Sequence, residues 1–206
     1  MQEPLAKYPD NLSAKQKDRL NRLEGLYLEW NRKINLISRR NTDNFYLHHV
    51  LHSLSISMIF KFMPGTRILD AGTGGGFPGI PLSIVLPDCE FVLADSVKKK
   101  ITAVNDIIKK LGIKNAKAIW TRLENIDDSF DFVVSRAVAP FPVLVKWTAG
   151  LIRQASMNEL PNGILTLKGG NLADELKDYP QCTIYDLRDY FDQEYFREKK
   201  IVYMPV

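Results

Sequence analysis

Residues 67–82 read Arg-Ile-Leu-Asp-Ala-Gly-Thr-Gly-Gly-Gly-Phe-Pro-Gly-Ile-Pro-Leu. An apolar run ends in a carboxylate, Asp70, and a glycine-rich turn through Gly72, Gly74 and Gly76 follows, with Phe77 and Pro78 leading into a helix start. Glycines admit positive φ and close backbone approach, and a helix N-terminus offers unpaired N–H groups, so such a stretch suits a nucleotide-like ligand. A dinucleotide fingerprint places a third glycine where this chain has Phe77. A phosphate loop of the Gly-Lys-Ser/Thr kind does not occur. A second carboxylate, Asp95, ends the apolar run 89–94, 25 positions after Asp70. At that distance an acid reaches ribose hydroxyls. Asp95 also fits the N-cap of a helix opening near Ser96. The glycines alone are compatible with a purely structural turn.

The elements around these residues follow from periodicity. Ser13-Ala14-Lys15-Gln16 forms a capping box that opens a helix to about Trp30, with Leu20, Leu23, Tyr27, Trp30 and Ile34 on its core side. A second helix is expected over 44–60. From Thr66 onward strands (67–70, 90–94, 117–120, 131–135, 163–167) alternate with helices (78–85, 98–111, 142–152, 172–176), which calls for a mainly parallel sheet covered on both faces. Strands over 183–187 and 200–203 are expected to pair antiparallel at the end. The organisation read from this is a helical segment, 1–64, before one compact α/β domain, 65–206.

With 206 residues, 45% hydrophobic and 25% charged, the chain is long enough for one well-buried domain. It contains no apolar run long enough to span a bilayer, and its start lacks a basic segment followed by an apolar core. The expectation is a cytoplasmic protein without membrane contact. The two cysteines, Cys89 and Cys182, have no histidine at ligand spacing, so they read as packing residues and no metal is expected. The net charge of +4 is unevenly spread. Residues 13–40 carry eight Lys/Arg, among them Arg39 and Arg40, against three acids, and residues 96–122 carry eight more against Asp106 alone. Such clusters suit a polyanion such as RNA, and also suit an ordinary solvated helix face.

The order Asp70-x-Gly72-x-Gly74-x-Gly76 resembles the first motif of class I S-adenosylmethionine-dependent methyltransferases. Asn35-Leu36, His49-x-Leu51-x-Ser53, the loop continued through Gly79-Ile80-Pro81, Asp95-Ser96, Ser135-Arg136-Ala137 and Lys168-Gly169 follow in sequence. Together, over about residues 20–202, they resemble the RsmG (GidB) family of ribosomal RNA small-subunit methyltransferases G. The resemblance implies a Rossmann-like, mostly parallel seven-stranded sheet with an N-terminal helical extension. It also implies S-adenosylmethionine as cofactor, 16S rRNA of the small ribosomal subunit as partner, and methyl transfer to N7 of one guanine by a monomer. Carried over to this chain, Asp70, Gly72, Gly74, Gly76, Phe77 and Asp95 hold the cofactor. Leu123 and Glu124 flank its adenine, and Arg136 closes the site as the positioning residue. Arg39, Arg40, His49, Arg122, Lys168 and Arg197 are candidate RNA contacts. His52 stands where the family commonly has Asp, and no role is assigned to it. His49 also fits a packed histidine, Lys168 an ordinary loop charge, and Arg136 a surface arginine.

Guanine N7 carries an in-plane lone pair and no proton, so transfer to it needs no general base and rests on positioning. The chain agrees in lacking the Asn/Asp-Pro-Pro-Tyr/Phe motif used for exocyclic amines and a cysteine placed for pyrimidine C5. Two other readings fit the same loop. One is a class I methyltransferase for a different RNA, a protein or a small molecule; the other is a non-catalytic RNA-binding module.

Overall fold

The computed structural model describes residues 12–38 and 44–206. Arg39 and Arg40 lie outside the described residues. Strands β1 (Arg67–Ala71), β2 (Glu90–Asp95), β3 (Ala116–Trp120), β4 (Phe132–Arg136), β5 (Gly163–Gly169), β6 (Thr183–Asp186) and β7 (Lys199–Pro205) form one sheet in the order β3-β2-β1-β4-β5-β7-β6. The first five run parallel, and β7 is antiparallel to both its neighbours. Strand alternation sorts the core into two layers. Ile68, Phe91, Leu93, Phe132 and Val134 pack on one face, and Leu69, Val92, Ala94 and Val133 on the other. Both faces are covered, which is what lets these strands be apolar throughout.

The helices are α1 (Ala14–Asn31), α2 (His52–Ile59), α3 (Gly79–Val85), α4 (Lys98–Lys110), α5 (Phe141–Thr148) and α6 (Ala173–Leu176). The chain leaves β1 toward β2 and β3, then returns to β4 on the other side. The carboxyl ends of β1 and β4 therefore flank the switch point of the sheet, where open α/β folds bind ligands. The capping box at Ser13 and Gln16 is present. The helix expected over 44–60 differs in its first half: Tyr46–Leu51 is a π-helical turn that runs directly into α2. There Phe45, Tyr46, His49 and Phe77 pack ring against ring, a cluster that a wider helical turn accommodates. The helix expected over 142–152 ends at Thr148 and finishes as a short 3-10 turn.

The N-terminal helices share one core with the sheet: Leu20, Leu23, Tyr27, Val50 and Leu54 pack with Phe77, Ile80 and Leu93. Asn31 ties the following segment down, accepting from the N–H groups of Leu36 and Ile37 and donating to the Ile37 carbonyl. Cys89 and Cys182 are free thiols packed against opposite layers, and burial pushes both thiol pKa values up. Among the described residues no helix is long and apolar enough to cross a membrane.

Much of the N-terminal positive charge serves this packing. Arg19 donates through Nε to the Leu111 carbonyl at 2.9 Å and through Nη2 to that of Gly112, while Arg22 donates to the Lys110 carbonyl at 2.9 Å. These are the end carbonyls of α4, which a helix leaves unpaired and partly negative. Arg19→Ala uncovers two of them and removes a buried stem. The expected loss is about 1–3 kcal/mol in urea unfolding, with S-adenosylmethionine affinity in calorimetry unchanged.

Candidate active site

The loop after β1 is held from beneath. Asp70 is fully buried at the strand end, and its Oδ2 accepts from the Thr73 hydroxyl at 2.5 Å and the Gly79 N–H at 2.8 Å. Its Oδ1 is buried and unpartnered. Burial pushes the Asp70 carboxyl up to about 7, against the two hydrogen bonds that pull it down. The loop is also clamped sideways to β2. Thr73 donates its N–H to the Ala94 carbonyl at 2.9 Å, and Gly74 donates to Asp95 Oδ2 at 2.9 Å. Asp95 Oδ1 accepts from the Val97 N–H at 2.8 Å, so this carboxylate joins the loop to the entrance of α4. From the other side the buried Tyr27 hydroxyl donates to the Gly75 carbonyl at 2.6 Å.

Two cavities open at this edge of the sheet. The first, of about 320 Å³, is lined by Gly72, Asp95, Ser96, Thr121, Leu123, Glu124 and their neighbours Val138 and Trp147. Gly72 sits at φ +66° with the Val138 side chain against it: a Cβ there would come within 2.1 Å of Val138 Cγ2. Val138 is placed by the residue before it, since Ala137 holds φ 52°, a conformation sparsely used outside glycine. Carboxylates on one side, apolar Leu123, Val138 and Trp147 on the other, and a backbone floor bare of Cβ fit a nucleoside carrying a charged tail.

The second cavity, of about 390 Å³, lies beyond Arg136 at the ends of β4 and β5 and is lined by His48, His49, His52, Lys168, Tyr195 and Lys199 among others. Its lining holds no carboxylate. Arg136 donates to the His48 carbonyl at 3.2 Å and to His49 Nδ1 at 3.0 Å, and its guanidinium lies 4.9 Å from the centre of the Phe77 ring. An arginine only donates, so His49 Nδ1 carries the lone pair and its proton sits on Nε2, which is buried without a partner. Tyr195 completes the wall. Its ring stacks on His48 at 4.2 Å, and its hydroxyl meets His52 Nδ1 at 3.1 Å. Burial, then the charge of Arg136, depresses His49 to about 3 and holds His52 well below the ordinary histidine value. All three histidines are neutral near pH 7, their pKa values lowered first by burial.

The sequence-based candidates thus divide. Gly72, Asp95, Arg122, Leu123 and Glu124 line the first cavity, with Gly74 bonded to Asp95 at its rim. Asp70 lies beneath, and Gly76 at φ +94° packs against Ile80 and the Tyr27 hydroxyl. Phe77 is buried among Tyr27, Phe45 and His49 and reaches the site through Arg136. Arg136, His49 and Lys168 share the second cavity, where Lys168 is paired with Glu175 at 2.6 Å. Arg197 is exposed and paired with Glu194 at 2.9 Å, apart from both linings. Trp147 on α5 and Tyr195 and Lys199 near the end of the chain were not singled out beforehand. They sit in no motif, and only the fold brings them to the site.

Solved structures share this architecture. One is a SAM dependent methyltransferase from Aquifex aeolicus, with TM-score 0.53 and 16% identity over 73% of this chain and 87% of that chain. Another is a variant of MtNAS in complex with S-adenosylmethionine, with TM-score 0.58 and 15% identity over 92% of this chain and 76% of that chain. The strand order and the glycine loop give the fold of the class I S-adenosylmethionine-dependent methyltransferases. Among full-length relatives, the Ribosomal RNA small subunit methyltransferase G of Christiangramia forsetii is 48% identical over 99% of this chain and 97% of its own length. That of Flavobacterium johnsoniae is 47% identical over 99% and 98%. The family GidB, rRNA small subunit methyltransferase G, matches residues 16–198, and the chain belongs to it.

Gly72→Ala forces a Cβ into Val138 at a left-handed position. The expected outcome is S-adenosylmethionine binding weakened by about tenfold or more in calorimetry; wild-type affinity would refute the cradle. A second expectation concerns acid. His52 stays neutral when folded but takes a proton below about pH 6.5 when unfolded. The unfolded chain then binds more protons, so stability falls as pH falls. His52→Gln removes this term, and urea unfolding should show the variant losing less stability than wild type between pH 6.5 and 5.

Proposed function

We propose that the protein transfers a methyl group from S-adenosylmethionine to N7 of a guanine in 16S rRNA, as a cytoplasmic monomer. The observation that carries the reading is the second cavity, next to the cofactor cavity across Arg136 and lined by side chains that donate. Guanine turns two acceptors, N7 and O6, to its major-groove edge, whereas adenine pairs N7 with a donor amine. A lining that carries Arg136 and Lys199 and no carboxylate suits donation to guanine O6, with the N7 lone pair kept for the methyl group.

When bound, S-adenosylmethionine supplies an electrophilic sulfonium methyl. The residues of the chain then have three tasks. Asp95 and Glu124 receive the polar groups of the nucleoside, and Leu123, Val138 and Trp147 exclude water from its base. Asp70 fixes the loop that carries Gly72. Arg136, immobilised by His48, His49 and the Phe77 ring, orients the acceptor base and holds electron density at its edge. No side chain has to remove a proton, because N7 has none. The lowered pKa values of His49 and His52 agree with this, since a weakly basic imidazole is a poor proton acceptor.

The test is to incubate the protein with labelled S-adenosylmethionine and 30S subunits that lack the modification, then map the product. The expected product is one N7-methylguanine in the 16S rRNA; label on an exocyclic amine, a ribose or a protein overturns the reading. Arg136→Lys keeps the charge but not the fork, and should lower kcat by about 10²-fold with cofactor affinity retained.

A further inference from the structure

The basic residues divide by what their charges touch. Among the described residues, Arg19 and Arg22 are engaged with the end of α4, Lys33 with Glu29, and Lys110 with Glu29 and Asp106. At the opposite end of α4, Lys98, Lys99 and Lys100 have no carboxylate partner among the described residues, nor has Arg122. The first turn of α4 contains no acid, and cations there gain nothing from the helix dipole. Lys99, Lys100 and Arg122 thus carry charge that no carboxylate among the described residues calls for.

Trp120 stands against Lys98 and two positions before Arg122. It ends the edge strand β3, is 58% exposed, and is the most exposed large hydrophobic side chain among the described residues. Its ring is not loose: Nε1 donates to the Ser96 carbonyl at 2.9 Å, and the Lys98 ammonium lies 4.9 Å from the ring centre. The residue pairs with Asp95 across the sheet, and Ser96, Thr121 and Arg122 beside it line the cofactor cavity. An exposed indole fixed beside residues that line the cavity, with cations on the neighbouring segments 98–100 and at 122, matches what single-stranded RNA needs: a π surface for a base and positive charge for its phosphates.

From this geometry we infer that Trp120, with Lys99, Lys100 and Arg122, forms a stacking platform for an unpaired nucleotide of the substrate RNA flanking the methylated base. The inference rests on the rRNA methyltransferase reading. It adds a contact on the cofactor side of the site, where base stacking supplies affinity without sequence preference. Trp120 is a binding residue here and takes no part in the methyl transfer itself.

The test uses the full chain and unmodified 30S subunits. Trp120→Ala should raise the Kd for 30S and the KM for methylation by about tenfold, with kcat and S-adenosylmethionine affinity unchanged. Trp120→Phe keeps a stacking face and should recover most of the loss. Addition of oligoadenylate should quench tryptophan fluorescence in wild type and not in Trp120→Phe. The double variant Lys99→Ala, Lys100→Ala should flatten the dependence of RNA affinity on salt by about two counterions. Wild-type KM and Kd in Trp120→Ala overturn the platform while leaving the methyltransferase reading standing. A rise in Kd that Trp120→Phe does not recover overturns stacking, and a wild-type protein that binds no RNA overturns both.

Discussion

The site is organised around a carboxylate that never reaches its surface. Asp70 closes β1 in full burial and takes up the Thr73 hydroxyl and the Gly79 N–H with one oxygen. That single acceptor joins the strand, the turn and the first residue of α3, so the loop between them has one shape. Gly79 is part of the same constraint, since a Cβ there would lie 2.7 Å from Asp70 Oδ2 and equally close to Leu93. Burying a carboxyl costs several kcal/mol unless it is hydrogen-bonded, and its rise to about 7 measures how incompletely two donors offset that cost. The desolvation is the condition for the position: a solvated acid would leave the loop free to move.

Arg136 repeats the pattern with the opposite sign. It is placed by β4, it is nearly sequestered, and it has no carboxylate partner. What holds it is a carbonyl, an imidazole lone pair and an aromatic face. None of these cancels its charge. The histidines around it answer by staying neutral, so the positive charge of the lining rests on Arg136, Lys168 and Lys199. An acid in place of His52 would have neutralised part of that field. A positive cavity without an internal counter-ion is costly in the free protein, and the cost is recovered when an electron-rich partner arrives.

What was legible from the residues and what was not divides along a physical line. The apolar runs of β1, β2 and β4 and the spacing of Asp70, Gly72 and Asp95 depend on neighbours a few positions away, so they could be read directly, and the sheet with its β7 reversal followed. The widened turn at Tyr46–Leu51 could not be read, because it answers to Phe77, a residue distant in the chain. Tyr195 and Lys199 were invisible for the same reason: nothing local marks a residue whose partner is His48 or His52. Phe77 shows the limit from the other side. Its place in the motif was plain, but its burial beneath Arg136 rather than in the open cavity depends on Tyr27 and Phe45 from the N-terminal helices.

Charge makes the same point. Two clusters of eight cations look alike as strings of letters. Folding engages Arg19 and Arg22 of the first with the end of α4 and Lys33 with Glu29, while in the second Lys99, Lys100 and Arg122 have no carboxylate partner among the described residues and Arg122 lines the cofactor cavity. Helix α4 therefore carries its stabilising cations at the end where its dipole welcomes them and unpaired ones at the end where it does not. The first arrangement follows from helix physics alone. The second requires something outside the chain to offset it, and a phosphate backbone led to the mouth of the site is the partner whose charge and shape do so.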